Sequence, residues 1–168
     1  MQLAQKYEAL LQEARRRHLP EIENIRLCFQ TLSLASAIDR QCAAMLAPHA
    51  LSEGRFVILF LLDSADDGLA PNELAAQSGV TRATITGLLD GLERESLIER
   101  HTQNDDRRTV RVRLTPKGKR LARKVFVEHG HWIAGLFQNL SARERQQLSG
   151  LLAKADKNLT SNTEETAP

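Results

Sequence analysis

Apolar and polar positions alternate with two different periods along this chain, and the change of period divides it. Before residue 98 the spacing is helical. Leu3, Tyr7, Leu10, Leu11 and Ala14 form one stripe, which predicts a first helix over residues 1–18 that Pro20 ends. Ile22, Ile25, Phe29, Leu32 and Ile38 recur at helical spacing and predict a longer helix over 21–47, closed by Pro48. Ser52 is a candidate N-cap, although Arg55 stands where a capping box would place Glu. The nearly continuous apolar run from Phe56 to Leu62 predicts a helix buried on most sides. Asp66-Asp67-Gly68 reads as a turn. Pro71 and Glu73 suit the first turn of a short helix, one by its fixed φ and the other by its charge at the positive dipole end. Gly79 supplies a tight turn, and Thr81 caps a helix whose buried face is Ile85, Leu88, Leu89 and Leu92.

After Leu97-Ile98 the period becomes two. Val110, Val112 and Leu114 alternate with Thr109, Arg111 and Arg113, a half-exposed strand whose partner is Leu97–Thr102, joined to it by the polar segment 103–108. Thr115-Pro116 restarts a helix to about Asn139. Ser141 and Glu144 form a capping box that opens a last helix, with Leu148, Leu151, Leu152 and Ala155 expected inward. The small, polar, acidic stretch 160–168 reads as a disordered tail. The fold class is therefore mainly α with a small β-hairpin, divided into N-terminal helices over 1–47, a central helix-turn-helix and hairpin over 48–114, and C-terminal helices over 115–159.

Charge sharpens this picture. The net charge of the 168 residues is only +2, but Thr81 to Lys124 holds 12 basic and 6 acidic side chains, a net of +6, while the remainder is −4. A basic quarter beside an acidic remainder is what a polyanion-binding face leaves behind. The helix opening at Thr81 is long enough to enter a major groove. Its first turns expose Thr81, Arg82, Thr84, Thr86 and Gly87, offering short hydroxyls for phosphates and an arginine that can fork onto guanine. The hairpin carries Arg107 and Arg108 at its tip, within reach of phosphates or a minor groove. No cysteine–histidine cluster, carboxylate pair, triad or glycine-rich phosphate loop is present, which argues against a metal, a cofactor or an enzyme. No run of about 18 apolar residues and no secretion signal appear, so a cytoplasmic location is expected. Cys28 and Cys42 do not form a Cys-x-x-Cys pair.

Three segments resemble the multiple-antibiotic-resistance regulator (MarR) family: Leu74-Ala75 with Gly79-Val80-Thr81; Leu92-Glu93 with Leu97-Ile98-Glu99-Arg100; and, most specific, Asn104-Asp105-Asp106-Arg107-Arg108-Thr109 running into Leu114-Thr115-Pro116-Lys117-Gly118. The long helix around Leu27-Cys28-Phe29 is most similar to the EmrR/MprA efflux-repressor type. The resemblance implies a winged helix-turn-helix with N- and C-terminal dimerisation helices. It implies a homodimer that binds a pseudo-palindromic operator in double-stranded DNA and is released by a small effector such as an aromatic acid, a phenol or a lipophilic drug. It implies DNA contacts at Thr81, Arg82, Thr84, Thr86, Arg107 and Arg108, with Asp106 orienting a wing arginine. Effector-contact residues stay open.

Two positions depart from the family pattern: Gly87 stands where arginine is common, and Ser96 where glycine usually ends the recognition helix. Peroxide-sensing members carry a reactive cysteine in the first long helix, an alternative in which Cys28 is the redox site. Tyr7 is the only tyrosine, so the hydroxyl partners of such a thiol are missing, and a buried structural Cys28 is the expectation. Arg111 and Arg113 are open between DNA contact and a solvated strand face. An alternative of another class is a winged-helix protein–protein interaction module.

Overall fold

The computed structural model describes residues 3–103 and 106–164, with side chains described for 3–101 and 110–159. Its elements are α1 (Gln5–Arg16), α2 (Ile22–Leu46), a short 3-10 turn (Ala47–His49), α3 (Glu53–Asp63), α4 (Pro71–Ser78), α5 (Arg82–Arg94), β1 (Ile98–Gln103), β2 (Asp106–Leu114), α6 (Pro116–Leu136) and α7 (Ala142–Glu164). The chain forms two compact units, residues 1–126 and 127–168.

The core of the first unit is built on α3. Phe56, Ile58, Leu59 and Leu62 are buried, as the apolar run requires, and α3 packs against α4, α5 and β2. Leu74, Ile85, Leu89, Leu92, Leu97 and Val112 complete this core, each no more than 2% exposed. Each such side chain contributes roughly 1.5–3 kcal/mol by leaving water. On one face of α3, Phe60 is instead partly exposed and stacks on Phe126 of α6, 4.8 Å between centroids. α1 buries Leu11 and Ala14 and packs on α2, where Tyr7 stacks on Phe29 at 5.1 Å and the buried Ser33 hydroxyl accepts from the Ala4 amide.

The helix ends follow the local chemistry. Ser52 and Thr81 accept from the amides of Arg55 and Thr84. Glu73 accepts from the Ala70 amide at 2.7 Å. Gly79 closes α4 at φ +69°, allowing the Val80 amide to reach the Ala75 carbonyl. β1 and β2 pair antiparallel from Ile98↔Leu114 to Thr102↔Val110, and the register shifts beyond Thr102. Leu69 adds a bridge to Val112 on the other edge of β2. Gly68 makes that possible: it sits at φ +71°, and a Cβ there would collide with the Val112 carbonyl.

In the second unit Ser141 and Glu144 form the expected capping box, and the hydrogen bonds from Ser141 hold the Glu144 carboxyl below its ordinary pKa. Two expectations are corrected. Leu151, Leu152 and Ala155 are exposed rather than inward, the two leucines at 62% and 51%, and only Leu148 of the expected stripe is half-buried. The helix also continues to Glu164, past the expected start of the tail, because 160–164 contain no glycine or proline to break it. Residues 165–168 lie outside the described residues.

Candidate nucleic-acid interface

α5 is 13 residues, about 20 Å of helix. Its buried stripe (Ile85, Leu89, Leu92, with Leu88 half-buried) seats it on the core. That leaves Thr81, Arg82, Ala83, Thr84, Thr86 and Gly87 exposed. Arg82 makes no ion pair or side-chain hydrogen bond with any described residue. Thr81 and Thr84 share a hydroxyl contact of 2.9 Å, and Thr81 also caps the Thr84 amide at 3.2 Å. The Thr86 hydroxyl donates to the Arg82 carbonyl at 3.0 Å, which leaves its lone pairs and methyl facing outward. α1 to α4 and α7 each place an acidic residue in the first turn; α5 has none and carries Arg82 there. A cation at the positive end of a helix is locally unfavourable, and the arrangement leaves the amides and Arg82 available to an external anion.

Beside this surface runs a groove of about 710 Å³, lined by the start of α4 (Ala70–Glu73), by Arg82, Ile85 and Thr86 of α5, and by Val110 and Arg111 of β2. Three sequence-predicted site residues, Thr81, Arg82 and Thr84, therefore share the first turn of α5, and Thr86 sits one turn on beside the groove. The backbones of Asp106, Arg107 and Arg108 belong to β2 beyond the last regular pair, but their side chains lie outside the described residues.

Three other arginines of the basic region, Arg111, Arg113 and Arg100, are engaged within the chain. Arg111 Nη1 donates to the Gly68 carbonyl at 2.9 Å and lies 3.5 Å from Glu73. Arg113 Nε donates to the Asp67 carbonyl at 3.2 Å. Arg100 on β1 pairs with Asp90 at 2.6 Å and Glu93 at 3.0 Å on α5. Arg111 and Arg113 thus tie the hairpin to the α3–α4 turn, Arg113 while still exposed to solvent. No spacing rule reveals this, because the partners lie 38 to 46 residues away.

Ser96 ends α5 at φ +56°, in the left-handed region the missing glycine would favour. The Leu97 amide still reaches the Leu92 carbonyl at 3.0 Å, closing the cap. Gly87 has open space around it, with no described atom within 4 Å of where a Cβ would stand. Cys28 is exposed on α2, against the expectation of a buried thiol, because it falls on the same uncovered side as Leu27 and not on the face toward α1. The buried cysteine is Cys42, whose thiol pKa is pushed up by burial and by Glu53 and Asp39. No single helix among the described residues is long and apolar enough to cross a membrane.

A core-seated helix opening on exposed polar side chains, a glycine turn before it and a tethered hairpin after it define a winged helix-turn-helix protein. Residues 51–110 match the MarR family model. The chain is 32% identical to the transcriptional repressor YetL of Bacillus subtilis over 148 residues, covering 88% of this chain and 89% of that one. It is 30% identical to the transcriptional repressor MprA of Escherichia coli over 135 residues, 80% of this chain and 75% of that one. The Staphylococcus aureus MepR–DNA complex shares the fold at a TM-score of 0.68 and 23% identity, over 78% of this chain and 96% of that one. The chain belongs to the MarR family, and it is a transcriptional regulator rather than an enzyme.

Proposed function

We propose that the protein is a homodimeric repressor that reads a pseudo-palindromic operator with α5 and the β1–β2 wing, and that a small aromatic or lipophilic effector releases it. The observation that carries the DNA reading is the exposed first turn of α5, where Arg82 has no partner among the described residues and lines an open groove. Two recognition helices one duplex turn apart, roughly 34 Å, would meet successive major grooves. Thr81, Arg82, Thr84 and Thr86 face the bases and nearest phosphates; Arg107 and Arg108 reach the backbone or minor groove, with Asp106 orienting one of them. Dimerisation is supported by the apolar side chains left exposed in both units, Leu27 and Leu32 in one, Leu151, Leu152 and Leu159 in the other. Effector release is supported by the family resemblance. A ligand that prefers a conformer with different helix spacing lowers DNA affinity by linkage.

Fluorescence anisotropy on the DNA upstream of its own gene, at two salt concentrations, with and without salicylate, tests this. Tight, salt-sensitive binding weakened by salicylate is the expected result. Arg107→Ala and Arg108→Ala should each weaken binding to all sequences and lower the salt slope by about one. Binding no better than to random DNA would favour a protein-interaction module. A second reading, oxidant sensing through Cys28, draws support from the exposure of that thiol on α2. A Cys28→Ser protein that still releases DNA on its inducer rejects it.

A further inference from the structure

Gly91 is buried in the C-terminal half of α5. Arg55 of α3 lays its guanidinium across it: Cζ and Nε stand 3.0 and 3.2 Å from where a Cβ on residue 91 would be. From that seat Nη1 donates to Glu95 Oε1 at 2.7 Å and to the Ala50 carbonyl at 3.3 Å. Ala50, left-handed at φ +56°, turns the chain from the end of α2 into α3. One planar guanidinium, bonding through Nη1, therefore joins the turn after α2 to the last residues of the recognition helix. The start of α6 grips the same end. Lys117 Nζ donates to the Glu95 carbonyl at 2.7 Å, and the Thr115 hydroxyl to the Ser96 carbonyl at 2.7 Å.

Arg55 is 23% exposed and Glu95 37%, so the pair is shielded more than a surface ion pair. A lysine would lack the planar head that lies flat over Gly91 while Nη1 bonds its two acceptors. Arg82 lies about 13–20 Å along the helix from this end. A few degrees of tilt at the held end displaces the free end by an ångström or more, enough to spoil a bidentate base contact.

We propose that the Arg55–Glu95 pair seated on Gly91 is the positioning device that sets the angle of α5 relative to α2 and α6, and through it the placement of Arg82 on DNA. This rests on the DNA-binding reading above. Arg55 is a positioning residue, acting through α5 and not by touching DNA.

Gly91→Ala is the sharpest variant. The atoms nearest the added methyl all belong to the flexible end of Arg55, so the fork is displaced with its charge retained, and alanine is the better helix former. Gly91→Ala should keep the thermal midpoint of the parent or raise it, yet weaken operator binding at least tenfold. Arg55→Ala should weaken it similarly, and the double variant no further than Arg55→Ala alone. The slope of binding against salt should stay that of the parent, since no phosphate contact is lost. Amide exchange in the DNA-free protein gives an independent arm: Arg55→Ala should speed exchange at residues 92–97 at least fivefold. Parent-like operator affinity in both single variants, a salt slope reduced by about one, or unchanged exchange would each overturn the proposal. A parent that shows no operator preference brings down the DNA reading, visible in its own titration, while the exchange arm still decides the clamp.

Discussion

At its N-terminal end α5 presents Arg82 with no ion pair to any described residue, beside Thr81, Thr84 and Thr86, whose hydroxyls bond only within their own turn, next to an open groove. At its C-terminal end Arg55, Arg100, Lys117 and Thr115 bind Glu95, Asp90, Glu93 and the last carbonyls of the helix. One helix thus carries a free end and a held end. A side chain used for recognition must be uncommitted before the partner arrives, because every internal bond it makes has to be broken on binding. It must also sit on something that does not yield, because a bidentate contact tolerates little misplacement. The basic region of the sequence contains both kinds of arginine, and only their partners distinguish them.

The largest expected effect breaks the held end. Gly118 in the first turn of α6 lies against the Leu97 carbonyl, which a Cβ would overlap. That carbonyl also accepts from the Thr115 amide at 3.1 Å, so the corner after α5 has no slack. Gly118→Ala should destabilise the protein by about 2–3 kcal/mol despite the helical preference for alanine, read as a lower urea midpoint. A neutral outcome would mean that α6 does not press on this corner. Arg82→Ala tests the free end. It should leave stability within about 0.5 kcal/mol, since the side chain has no partner among the described residues. Operator affinity should fall by about 1–3 kcal/mol, with the loss concentrated on the operator rather than on random DNA. An equal loss on both sequences would reassign Arg82 from a base to a phosphate.

The contrast between the ends also shows what a single sequence makes legible. The elements were readable because their signals are local: proline at 71, glycine at 79, threonine at 81 and the period-two run from Val110 to Leu114 each act within a few residues. The free end was readable for the same reason, since helical spacing alone exposes Thr81, Arg82, Thr84 and Thr86 once Ile85, Leu89 and Leu92 are buried. The held end was not. Arg55 looked like a poor capping-box residue and Arg111 like a strand-face cation, because their partners are 40 and 38 residues away. Gly91 gave one usable signal, a glycine inside a strongly periodic helix, which often marks a close approach. Cys28 and Leu151 were placed inward because apolar spacing does not say whether the covering surface belongs to the same chain.

The smallest effect asks whether the held end can be relaxed without moving the free one. Ser96 is held at φ +56° by the cap from Leu97 to Leu92 and by its carbonyl bond from Thr115. A β-carbon in that conformation costs roughly 1–2 kcal/mol, partly offset by the greater flexibility of glycine in the unfolded chain. Ser96→Gly should therefore stabilise the protein by about 0.5–1 kcal/mol, seen as a higher urea midpoint at unchanged slope. Operator affinity should stay within about twofold, because the substitution removes strain and leaves every bond at the corner in place. If affinity falls while stability rises, the left-handed serine is contributing to the orientation of α5. The division of the helix into an end that recognises and an end that merely holds would then be too simple.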